Sequence, residues 1–101
     1  MVDKLNEFEL IANVFGPLAA NAPGSLNLSD DAAIISPRSD QEVVVAADTI
    51  VEGVHFRPED PPGTVGVKAL GVNLSDLAAM GASPHGYTLS AAWPTTVSTT
   101  W

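Results

Sequence analysis

The chain has 101 residues, with 4 Lys and Arg against 12 Asp and Glu and a formal net charge of −8. That length holds one small domain at most, and the sign of the charge argues against nucleic acid and anionic membrane, whose phosphates need clustered Lys and Arg. Apolar residues make up 46%, which argues against disorder, and the absence of Cys excludes both a disulfide scaffold and a thiolate metal site.

In chain order, Leu5, Phe8, Ile11, Ala12 and Phe15 recur at spacings of three and four, which predicts an amphipathic helix over residues 5–15. Asp3 is its expected cap, Glu7 and Glu9 lie near its positive end, and Gly16-Pro17 is expected to stop it. Residues 18–27 read as a loop, 32–36 as a short apolar run, and 37–41 as a polar turn. The segment Glu42 to Val51 is apolar and β-branched, and predicts a buried strand. A second turn region follows at 57–63.

The longest helical pattern runs from Thr64 to Met80, with Val67, Ala69, Leu70, Leu74, Leu77, Ala78 and Met80 apolar. Gly66 and Gly71 weaken it by about 1 kcal/mol each relative to Ala, and suggest close packing there. Gly81 is the expected C-terminal cap. Tyr87 to Trp93 predicts another strand, broken by Pro94, and residues 95–101 read as a turn into a segment beyond the chain. The order helix, strand, strand, long helix, strand predicts an α/β (α+β) unit, a mixed sheet packed by a long helix. The end of the sequence reads as a truncation. Residues 1–9 lack an apolar signal core, and no run approaches the roughly 18 apolar residues of a membrane span, so the expected compartment is the cytoplasm.

Acidic residues stand in apolar surroundings at Asp30-Asp31, Asp48 and Asp76. No cation is close in sequence to pair with them; Lys68 precedes Asp76 by two helical turns, and Arg38 and Arg57 lie in turns. Charges so placed need a partner or a metal, and hard oxygen donors favour Mg²⁺ or Mn²⁺, ions that usually also hold substrate phosphate. The residues alone leave other readings open: Asp30 as a cap, Asp31 as a loop acid, Asp48 as a strand-end acid bonding backbone amides, Asp76 on a solvated face. His55, at the end of an apolar segment, reads more readily as a hydrogen-bonded structural residue, and His85 as an exposed turn residue. No nucleophile pair and no glycine-rich phosphate loop is present. Met80, Phe8, Phe15 and Phe56 read as core.

Three segments together resemble a known family. Residues 29–34 (SDDAAI) are similar to its Gly-Asp-Asp-Ala-Ala box, residues 48–56 (DTIVEGVHF) to its Asp-Thr-Leu-Val-Glu-Gly-Val-His-Phe box, and residues 68–82 (KALGVNLSDLAAMGA) to its long-helix signature. The family is thiamine-monophosphate kinase, of the superfamily that includes aminoimidazole ribonucleotide synthetase, and the likeness covers residues 5 to 93. The resemblance implies ATP-dependent phosphorylation of thiamine monophosphate to thiamine diphosphate, assisted by several Mg²⁺ ions. It implies Asp31, Asp48 and Asp76 as Mg²⁺ ligands with Asp30 supporting, and His55 as a contact to thiamine monophosphate. Asn73 and Ser75 flank Asp76 and are expected to orient it. Ser29 and Asn27 replace glycines of the family pattern. Ala46 and Ala47 replace hydroxyl residues that can ligate metal, leaving backbone carbonyls, that of Ala47 among the expected ligands.

The family's chain is longer, so residues 1–101 are expected to be an incomplete N-terminal metal-, ATP- and substrate-binding domain of the aminoimidazole ribonucleotide synthetase-like fold, inactive by itself. The second reading is another ATP-using synthetase of the superfamily. The third is a non-catalytic module that dimerises through strands at Val43–Ile50 and Tyr87–Trp93; relatives dimerise through N-terminal strands, so a homodimer is expected alongside the kinase role.

Overall fold

The structure is a computed structural model and describes residues 5–93. The chain divides into two compact units, one holding described residues 5–42 and 88–93, the other residues 43–87.

In the first unit, α1 (Glu7–Leu10) is followed by a π-helical stretch (Ile11–Phe15) and by α2 (Gly16–Ala19). The expected cap, Asp3, lies outside the described residues. Asn6 caps the helix instead: its Oδ1 accepts from the Glu9 amide at 3.0 Å, while Glu9 Oε2 accepts from the Asn6 amide at 2.9 Å. This reciprocal box satisfies two amides that a helix start leaves unpaired. Gly16-Pro17 does not stop the helix as expected. In the π stretch the Gly16 amide reaches five residues back to the Ile11 carbonyl. The wider turn precedes Pro17, whose ring and missing N–H would conflict with a regular α-helical register, and Pro17 then sits within the first turn of α2, where no amide is needed.

Part of the expected loop at 18–27 is also helical. A 3-10 segment spans Pro23–Leu28 and ends in three residues of positive φ, Leu26 (52°), Asn27 (55°) and Leu28 (56°). From there the chain has no regular structure up to Glu42, and residues 88–93 likewise have none.

In the second unit, α3 (Pro62–Ala79) is the main element, 18 residues long. It starts two residues before the expected Thr64, because Pro62 suits a first turn that needs no amide donor. Its end matches the expectation closely. Gly81 adopts φ +66°, its amide bonds the Ala78 carbonyl at 3.0 Å, and the Ala82 amide bonds the Leu77 carbonyl at 2.9 Å. This paired closure requires a left-handed residue, which Gly supplies without a Cβ penalty.

Further expectations are not met among the described residues. The segments read as strands, 42–51 and 87–93, form no ladder; among the described residues the one bridge joins Glu52 and Phe56. A β-branched apolar run specifies a preference, whereas a strand exists only when a second backbone supplies its hydrogen bonds. Val45 is accordingly 82% exposed. The expected helix core is displaced too. Val65 is the buried apolar residue of α3 at 7% exposure, with Ala69, Val72 and Leu77 half-buried along the same side, whereas Val67, Leu70, Leu74 and Met80 are exposed. The helix is apolar on several faces, so composition does not select which one is covered. Phe8 is also exposed rather than core, while Phe15 and Phe56 are half-buried. No helix among the described residues is long and apolar enough to cross a membrane.

The close packing suggested by Gly66 and Gly71 is not used, since a methyl group added at either meets no described atom within 4 Å. Gly66→Ala and Gly71→Ala should therefore each stabilise the protein by up to about 1 kcal/mol, while Gly81→Ala should destabilise it by about 1 kcal/mol. Urea midpoints of the three variants check both signs.

Candidate functional site

The first acidic pair sits in a closed loop. The Ile34 amide bonds the Gly24 carbonyl at 2.7 Å, joining the two ends of residues 24–34. Ser25 anchors the start, its hydroxyl donating to the Ala19 carbonyl at 3.2 Å. Ser29 closes the left-handed turn, its hydroxyl donating to the Leu26 carbonyl at 2.6 Å. Asn27 holds φ +55° where the family pattern has Gly, and Asn is among the residues that tolerate this region. Asp30 and Asp31 follow directly, both exposed.

The second unit holds Asp48, Asp76 and His55. Asp48 is exposed within the unladdered segment, and Asp76 is exposed on α3. Asn73 lies three residues before Asp76 on the helix, but its amide donates to the Ala69 carbonyl at 2.9 Å, within its own helix. Ser75 is exposed, as is Ala47. His85 is exposed beyond the helix, as expected.

The loop from Val51 to Phe56 is the most defined part of this unit. The Val54 and His55 amides both bond the Val51 carbonyl, at 3.1 and 2.8 Å, and the Gly53 amide bonds the Phe56 carbonyl at 2.8 Å. Gly53 takes φ +80° to make the reversal. His55 Nδ1 accepts from the Val51 amide at 2.9 Å. Lys68 on α3 donates from Nζ to the His55 carbonyl. Sequence reasoning singled out His55 but missed Lys68 as its neighbour, because the contact spans 13 positions.

Among the described acids three meet arginines, while Glu7, Glu9, Glu42 and Glu52, like the four candidate ligands, meet no cation. Arg38 pairs with Asp40 at 3.4 Å, and Arg57 with Asp60 at 3.7 Å and Glu59 at 3.9 Å. Asp60 also accepts from the Arg57 amide at 2.8 Å, which shapes that turn. The side chains of Asp30, Asp31, Asp48 and Asp76, in contrast, have no ion-pair or hydrogen-bond partner among the described residues. Unpaired, exposed carboxylate oxygens are the donor chemistry that fits Mg²⁺. Among the described residues no group of three or more His, Asp or Glu is gathered for a metal ion.

The boxes that carry these residues also carry the kinship. The chain belongs to the family described as AIR synthase related protein, N-terminal domain, whose model matches residues 29–101. Curated relatives named thiamine-monophosphate kinase match most of the chain. That of Caulobacter vibrioides is 44% identical over 88 residues, covering 87% of this chain and 25% of the relative. That of Synechococcus elongatus is 49% identical over 73 residues, covering 71% and 22%, and that of Escherichia coli is 42% identical over 89 residues, covering 87% and 27%. The chain thus spans about a quarter of the length of these relatives. No solved structure matches it.

The Val51–Phe56 reversal depends on Gly53. Gly53→Ala should cost roughly 1–2 kcal/mol, the penalty for a Cβ in the left-handed region, measured by urea unfolding.

Proposed function

We propose that the chain is the N-terminal metal-, ATP- and substrate-binding part of a thiamine-monophosphate kinase, a transferase of thiamine diphosphate biosynthesis acting in the cytoplasm. The observation that carries this reading is that the exposed Asp30, Asp31, Asp48 and Asp76 all fall within the residues that match the family, whose curated relatives bear that name. Asp31, Asp48 and Asp76 would hold Mg²⁺, with Asp30 supporting and Ala47 contributing its carbonyl. When bound, the ions would neutralise the phosphates of ATP and of thiamine monophosphate.

Phosphoryl transfer asks little covalent chemistry of the protein and much positioning. A phosphate oxygen of thiamine monophosphate attacks the γ-phosphorus of ATP, and the bond to ADP breaks in line. No side-chain nucleophile is required, in keeping with the lack of a Ser–His or Cys–His pair. The role left to His55 is to hold the substrate. Its ring is fixed by the Val51 amide, which leaves the other ring nitrogen for a ligand. Asn73 and Ser75 would support Asp76 from the same helix.

One observation favours a further role. Val43, Val44 and Val45 are exposed in a segment with no ladder partner. Pairing of this segment with another backbone would complete the expected mixed sheet, and a second subunit is one source of such a backbone. Light scattering of the protein should then report a homodimer; a monomer at micromolar concentration would count against it.

In the full-length enzyme, Asp48→Asn and Asp76→Asn should each lower ATP-dependent turnover at least 100-fold, the scale of a lost electrostatic contribution, with the fold retained by circular dichroism. Near-normal turnover in both would remove the metal role. His55→Ala should raise the KM for thiamine monophosphate with little change in kcat, as steady-state kinetics would show.

A further inference from the structure

His55 is held from two sides, at its ring and at its backbone carbonyl. Its ring accepts at Nδ1 from the Val51 amide at 2.9 Å. Its backbone carbonyl accepts from Lys68 Nζ. Among the described Lys and Arg residues, Lys68 is the one without a carboxylate partner, because Arg38 and Arg57 both pair with acids in their own turns. An ammonium on a flexible stem is strongly hydrated and ordinarily stays in solvent. Here it is committed to a carbonyl 13 positions away.

The chemistry of the ring follows from that geometry. A backbone amide only donates, so the Nδ1 it meets carries no proton, and the neutral imidazole then carries its proton on Nε2. The Val51 contact holds only while the loop keeps its shape. Among the described residues, its other hydrogen bonds are its own backbone bonds and the link to α3 through Lys68. The long helix also carries Asp76, so Lys68 ties the His55 loop to the element bearing a proposed metal ligand.

We propose that Lys68 is a positioning residue for substrate binding, holding the His55 carbonyl to α3 so that the ring keeps its Nε2–H tautomer and offers that N–H to an acceptor oxygen of the substrate. The substrate part of this inference rests on the kinase reading above. Lys68 touches no reacting atom, so its loss weakens binding and leaves the transfer step intact.

Two measurements on the full-length protein test it. Lys68→Met should raise the KM for thiamine monophosphate about tenfold, the scale of one lost hydrogen bond to a charged group, with kcat within about twofold of the parent on the same scale. Lys68→Arg should recover most of the loss, since it restores a charged donor. Lys68→Met combined with His55→Ala should be no worse than His55→Ala alone. Imidazole nitrogen NMR without substrate should show His55 as the Nε2–H tautomer in the parent and a tautomer mixture in Lys68→Met. An unchanged KM in Lys68→Met, full additivity with His55→Ala, or an undisturbed tautomer would each overturn the role. If His55→Ala itself leaves KM unchanged, the substrate reading of His55 fails, and the NMR comparison still judges the Lys68–His55 link.

Discussion

The hydrogen bond from the Val51 amide to His55 Nδ1 organises the most defined loop of the second unit. It joins two residues four positions apart and turns a short apolar segment into a closed loop. The Glu52–Phe56 bridge, the left-handed Gly53 and the two amides on the Val51 carbonyl all belong to the same reversal. Without a Gly at the corner the loop would be strained, and without an imidazole the Val51 amide would lose its acceptor. The side chain therefore serves the backbone while keeping one ring nitrogen available. Structural and binding roles for His55, alternatives when the sequence is considered alone, are compatible in this geometry.

The carboxylates follow the opposite logic. Asp40, Glu59 and Asp60 meet arginines in exposed turns, and such pairs are worth little in water. Asp30, Asp31, Asp48 and Asp76 meet none and remain exposed. Exposure removes the desolvation cost that apolar neighbours in the sequence suggested, so these acids need no partner to be tolerated. It also leaves their oxygens free for a hard cation. These four acids contribute to the chain's surplus of negative charge, as do the exposed Glu7, Glu9, Glu42 and Glu52, which also meet no cation.

Some elements were legible because their causes are local. The long helix and its Gly81 closure follow from residues within a few positions of each other. The start of the first helix is ambiguous in the sequence because Asn6-x-x-Glu9 competes with Asp3 on similar grounds. The π stretch was invisible: it reflects how a proline is absorbed, which depends on the register of the turn before it. The strands are absent among the described residues for a different reason. Val43 to Ile50 has the composition of a strand, but pairing is a property of two segments, and among the described residues neither 42–51 nor 87–93 has a ladder partner. The exposed faces of Val67, Leu70 and Leu74 make the same point for the helix, because several of its faces are apolar enough to be buried.

The sequence by itself determined the chemical inventory and its family. It placed four acids in two boxes and a helix, and a single His in the DTIVEGVHF box, because residue types and spacings along the chain carry that information directly. Tertiary structure decided what those residues meet. It closed the acidic loop through Gly24 and Ile34, turned the His55 ring onto the Val51 amide, and brought Lys68 to the His55 carbonyl. Contacts of this kind are set by how backbone polar groups find partners across a folded chain, and no local pattern of residues specifies which partner will be near.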